Sequence, residues 1–251
     1  MFQNHFKIAL RSFRKNSSQG ILNLAGLTLG LAICMLIAIF IANELSFDKY
    51  HPNAHRIWRV NRIFYNQDGT QQLHLGHLSP PFAPLLKNDF PDIEQATRLL
   101  QNGVAVRRGE ARYVEDNLFF AEPNVFEVFD IPLVAGNPQT ALAEPFSVLL
   151  SETTAKKYFG EEDPANQMLK ADSGFDLKVT GVFEDFPYNS HWHPDMLVSF
   201  ATLNDTLIYG AEQLRTNWSN NSFSTFLLLP ENYPTERLLA QIPAFLDRHM
   251  T

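Results

Sequence analysis

Apolar residues run without interruption by charge from residue 21 to residue 42, ILNLAGLTLGLAICMLIAIFIA, with Asn23 and Thr28 as the only clearly polar positions. At about 1.5 Å per residue, 22 residues make a helix of roughly 33 Å, enough to cross a hydrocarbon core of about 30 Å. A transmembrane helix over 21–42 is therefore predicted. Ahead of it, Phe2, Phe6, Leu10 and Phe13 fall on one helical face and Lys7, Arg11 and Arg14 on another. Residues 2–15 thus read as an amphipathic helix, either lying in the inner membrane interface among anionic lipids or serving as a plain basic flank. Beyond the span the period changes. Residues 57–65 are β-branched and aromatic, Asn66–Gly69 supplies a turn, and 70–75 can return as a hairpin partner.

The rest of the chain alternates strand and helix signals. Ser79, Pro80 and Pro81 open a helix bearing Phe82, Leu85 and Leu86, with Pro91 beyond its end. Strands are predicted over 97–100, 104–108, 111–114, 118–122 and 147–150, with Gly109-Glu110 as the turn between the second and third. Ser151 caps a helix over 152–159 that stops at Gly160. Strands over 175–183, 196–200 and 222–229 and a last helix over 236–249 complete an α+β pattern with mixed sheets. No repeat and no linker divides this part, so any subdomains are closely joined. The expected organisation is a segment 1–20, the span 21–42 and a domain 43–251.

Charge gives the span a direction. Lys7, Arg11, Arg14 and Lys15 place +4 in residues 1–20 with no acid, out of a total of −7, so the remainder carries −11. Basic residues beside a span stay on the cytoplasmic side, which predicts an N-terminus inside and residues 43–251 outside the cytoplasm. A cleaved signal peptide fits poorly: its apolar region is about 7–15 residues, and no A-x-A site follows Ala42. Cys34, the single cysteine, lies within the span, so residues 43–251 form no disulfide. The acidic balance argues against nucleic-acid binding, which needs a basic footprint.

Within the span, Gly26, Gly30, Cys34, Ala38 and Ala42 make a row of small side chains at every fourth residue. Such a row lets another helix approach closely, and it is the predicted helix-packing face. Chemistry is harder to find. No G-x-S-x-G, H-E-x-x-H, P-loop or G-x-G-x-x-G occurs. His191-Trp192-His193-Pro194-Asp195 has alternate ligand types, but zinc would need His51, His55, His74 or His77 as well, against the simpler reading of a polar turn. Phe119, Phe120, Phe126 and Phe129 suggest a packing cluster, with residues 126–133 as an alternative partner patch. No cofactor or metal is expected.

Three segments in order carry a resemblance: Glu44–His51 with Ala54–Val60; Ser151–Gly160 before Asp163-Pro164; and Val179–Val182 before Asp185–His191. Together, behind such a helix, they resemble the periplasmic core domain of FtsX/MacB-type ABC transporter permeases. The resemblance implies an α+β outer domain with two lobes in a non-catalytic subunit of the cell inner membrane. It further implies a cytoplasmic ABC ATPase, a second permease protomer and an extracytoplasmic protein as partners, besides membrane lipid. Full permeases continue into further spans, so the resemblance makes this chain their N-terminal part. The family's glycine after Asp163-Pro164 is absent, and Asn166 is expected at the positive-φ turn position. A single-span sensor or binding module without ATP coupling is the alternative.

Overall fold

The structure is a computed structural model that describes residues 2–172 and 174–250. It divides into two compact units, Met1–Asp48 and Lys49–Thr251.

The first unit holds α1 (Phe2–Lys15) and α2 (Ser17–Glu44), separated by Asn16 in a non-helical conformation. A Cβ on Gly20 would stand 2.6 Å from the Phe13 ring, so the ring rests directly on this glycine and would have to shift for any larger residue. Of the apolar stripe expected on α1, the side chains of Phe2, Phe6 and Leu10 lie outside the described residues. The 28 residues of α2 contain the whole predicted span, a length of about 42 Å. Its hydroxyl interruption is satisfied internally: Thr28 donates to the Leu24 carbonyl at 2.8 Å.

The second unit begins with β1 (Ile57–Val60), β2 (Arg62–Tyr65), β3 (Gln71–Leu75) and α3 (Phe82–Asp89). Next come β4 (Gln95–Gln101), β5 (Val104–Arg108), β6 (Ala111–Glu115), β7 (Leu118–Ala121), α4 (Val125–Phe129) and β8 (Leu133–Ala135). They are followed by β9 (Ser147–Ser151), α5 (Glu152–Phe159), β10 (Met168–Ala171), β11 (Phe175–Phe183) and β12 (Met196–Ser199). After a 3-10 turn at Phe200–Asn204, the unit closes with α6 (Ala211–Thr216), β13 (Phe223–Leu228), α7 (Thr235–Leu239) and α8 (Ile242–His249).

Eleven strands form one sheet in the order β1-β13-β4-β7-β12-β9-β11-β10-β5-β6, with β8 beside β11; β2 and β3 pair separately. The sheet is mixed, since β9 runs parallel to β11 and antiparallel to β12. Its central strands are short apolar runs because both faces are covered. In β12, Met196 and Val198 enter one core cluster with Phe120 and Phe159, while Leu197 enters another with Leu99, Phe129 and Leu149. A third cluster joins α3 and α8 to the β13 end through Phe82, Leu86, Phe245 and Leu227.

Two expectations need correction. The strand read over 57–65 breaks at Asn61 into β1, paired with β13, and β2, paired with β3; its two halves serve different partners. The last helix divides into α7 and α8 because Pro243 lacks the N–H to continue the first and sits at the start of the second. Within the outer unit, the nine residues of β11 pair with β9 and β8 toward one end and with β10 toward the other.

Candidate functional site

Helix geometry stacks Gly26, Gly30, Cys34, Ala38 and Ala42 along one side of α2, all exposed. Apart from the neighbouring residues and the backbone of α2 itself, no described atom lies within 4 Å of where a side chain on Gly26 or Gly30 would begin. Lys7, Arg11, Arg14 and Lys15 are exposed on and at the end of α1.

At the start of the outer unit, Tyr50 and His51 enter an aromatic socket. The His51 ring, 7% exposed, is centred 4.0 Å from Tyr50, 5.4 Å from Phe129 and 6.4 Å from Phe186. Trp192 closes the socket, 5.1 Å from Phe129, 5.2 Å from Phe186 and 5.6 Å from Phe119. The Tyr50 hydroxyl donates to the Ser190 hydroxyl at 2.8 Å, and Ser190 in turn donates to the Trp192 carbonyl at 2.8 Å. Five residues on, Arg56 donates to the Leu229 carbonyl at 2.8 Å and pairs with Glu94, while His55 meets Glu231 at 3.0 Å. The segment from Tyr50 to Arg56 is therefore fastened at both ends to the sheet and its loops. Two motifs far apart in sequence, around Tyr50-His51 and around Phe186–Trp192, form one contact.

The helix α5 has its own clamp. Ser151 caps it by accepting from the Thr154 N–H at 3.2 Å. Lys157 donates to both oxygens of Glu115, at 2.7 and 3.0 Å, and the Tyr158 hydroxyl donates to the same carboxylate, which is 2% exposed. Arg108 lies 4.3 Å over the Phe159 ring, pairs with Glu162 at 2.5 Å and donates to the Tyr158 carbonyl at 3.1 Å. Burial raises the Tyr158 pKa, and its bond to Glu115 raises it further. Burial also raises the Asp195 pKa, opposed by the Asn117 amide at 3.2 Å and reinforced by the charge of Glu115. Glu115 is closed in by Lys157 and Tyr158, which suits it to holding α5 against β6.

His191 and His193 are exposed on either side of the part-buried Trp192, and no group of three or more potential metal ligands occurs among the described residues. Val128, Phe129 and Ile131 are buried, and the part-buried Phe126 and Leu133 pack against the same cluster, so the large apolar side chains of 126–133 face the core while Glu127, Asp130 and Pro132 are exposed. The expected cluster divides between sheet faces, Phe120 on one and Phe119 with Phe126 and Phe129 on the other. Asn166 takes φ 63°, the turn position expected of it. Two roles escaped sequence reasoning. Trp192 is the one large apolar residue in a polar turn, and Glu115 ends a strand on its buried face; those were the available signals.

The sequence profile of the MacB-like periplasmic core domain matches residues 21–245. Among solved structures, the chain is similar to a domain of a protein described as a permease from Porphyromonas gingivalis: 27% identity, TM-score 0.69, covering 80% of this chain and 84% of that one. It is also similar in fold to the periplasmic region of MacB from Actinobacillus actinomycetemcomitans, at 15% identity and TM-score 0.53, covering 77% and 84% respectively. No curated protein sequence matches the chain.

Proposed function

Because the chain belongs to the family of MacB-like periplasmic core domains, we propose that it is a non-catalytic permease subunit of an ABC-type transporter or mechanotransmission complex. In this reading α2 crosses the cell inner membrane with the basic flank in the cytoplasm, and residues 43–251 lie outside. The row Gly26, Gly30, Cys34, Ala38 and Ala42 packs against a further helix, of the permease or of a second protomer. α1 rests on the lipid of the inner leaflet, and a cytoplasmic ABC ATPase drives the span. An extracytoplasmic protein receives the movement.

The seating of Tyr50 and His51 carries this reading. A few residues beyond the span, the His51 ring is buried against Phe129 of α4, and in this reading that ring is where movement of the span enters the outer domain. Purification of the protein from its native membrane should bring an ABC ATPase with it. Replacing that ATPase's Walker lysine should abolish the protein's cellular function. A function that survives the replacement intact would instead support a single-span sensor or binding module.

A further inference from the structure

The sheet ends in an open edge at β6, whose outer side pairs with nothing among the described residues. Gly109-Glu110 joins β5 to β6 in a two-residue turn, with φ +57° at Gly109 and not at Glu110, as in a type II′ hairpin. Such a turn makes Arg108 and Ala111 a hydrogen-bonded pair. By alternation, Arg107–Arg112 and Ala105–Val114 are non-hydrogen-bonded pairs. The N–H and C=O of Arg112 and Val114 therefore point away from β5, into the open edge. Both side chains are exposed.

The adjoining solvent face carries three cations in cross-strand register, Arg112, Arg107 and Lys170, beside two carboxylates, Asp172 and the Asp176 that stands opposite Lys170 on β11. Arg112 stands opposite Arg107, and Arg107 opposite Lys170 on β10. Like charges in direct cross-strand register repel. Asp172 serves both arginines, 2.7 Å from Arg112 and 3.7 Å from Arg107, whereas Lys170 has no ion-pair or hydrogen-bond partner among the described residues. A hollow of about 380 Å³ beside the row is lined by Arg107, Arg108, Gly109, Met168 and Lys170. This face belongs to a part of the chain whose net charge is −11.

We propose that the β6 edge takes up an extended, acidic segment of a partner protein by strand addition. Its backbone pairs with Arg112 and Val114, and its side chains alternate between a carboxylate over the Arg112–Arg107–Lys170 row and an apolar group beside Val114. Guanidinium forks hold carboxylates in two-point contacts, which gives the row its preference for acid. The free backbone groups select a strand over a lone anion, which can meet the charges but cannot complete the ladder. The site lies on the outer domain alone and does not depend on coupling to an ATPase.

The test uses the whole chain in lipid nanodiscs and a capped octapeptide with glutamate and valine alternating on one face and threonine on the other. Saturable binding is expected, weakened about tenfold by Arg112→Glu and again by Lys170→Glu. The lysine-for-glutamate peptide should not bind. N-methylation of the peptide amides that meet Arg112 and Val114 should abolish binding, and methylation of the alternate amides should spare it. Absence of saturable binding, equal binding of the lysine peptide, insensitivity to both variants, or equivalence of the two methylated sets would each overturn the proposal. A matching thermal midpoint shows that each variant is folded.

Discussion

Helix α2 buries none of its 28 residues, while strand β9 buries all five of its own. Both are apolar runs, so apolarity alone does not distinguish them. The difference lies in what faces them. Val148 and Leu150 of β9 point into the cluster around Phe120, and Leu149 into the one around Phe129, so each side of the strand has a partner in the same unit. α2 has no such cover, and its large side chains suit lipid on all sides except along the small-residue row. Burial by protein in one region and by membrane in the other divides the apolar residues into two economies that respond separately to mutation.

The largest break in this contrast should come from Phe120→Ala. Emptying a fully buried phenylalanine site costs about 3–5 kcal/mol, which lowers the thermal midpoint of the outer domain by roughly 10 °C. Leu31→Ala in the span should leave that midpoint unchanged by circular dichroism. If both variants shift it alike, the two regions do not melt independently. Next in size is Gly30→Leu, which puts bulk where another helix is proposed to approach. It should weaken membrane helix association by about 1 kcal/mol, roughly fivefold, and more than Leu31→Ala does. Equal losses in that assay would remove the packing face.

The contrast also explains what could be read in advance. Local signals were enough for α5, where Ser151 and Gly160 punctuate the helix, for the nine alternating residues of β11, and for Asn166 in its turn. They failed where the deciding partner is distant. β1 and β2 separate because β13 pairs with one and β3 with the other, which no local alternation in residues 57–65 records. The socket was hidden for the same reason: Tyr50 meets Ser190 across 140 positions, and Lys157 meets Glu115 across 42. The apolar run and its small row need only length, composition and spacing, so they stand plainly in the sequence.

A smaller test sharpens the contrast at the point where the outer unit begins. Tyr50→Phe keeps the ring beside His51 and removes the hydroxyl that donates to Ser190. It should cost about 1 kcal/mol in unfolding experiments on the whole chain. If the segment transmits movement, it should also reduce ATP-dependent function beyond what the lost stability explains. Function unaffected at full stability would mean that Ser190 is not a coupling contact.

The smallest expected effect is a slope, and it belongs to Asp195. Burial holds this carboxyl above the ordinary aspartate pKa, so the folded chain keeps a proton that the unfolded chain has already released. Its stabilising contribution is full below the ordinary value, about pH 4, and is lost as pH rises through the raised one. Asp89 acts in the opposite sense: its pKa is lowered, first by the bond from His249, so its contribution is lost as pH falls. The two overlap in a raw profile, and only the difference between variants separates them. Asp195→Asn stays neutral at every pH and can still accept from the Asn117 amide. Its thermal midpoint should therefore gain on the parent protein as pH rises above the ordinary carboxylate range, and the two should converge in acid. Parallel profiles would show that Asp195 is as well solvated in the fold as in the unfolded chain, and that the ground between β7 and β12 belongs with the surface and not with the buried Glu115 clamp.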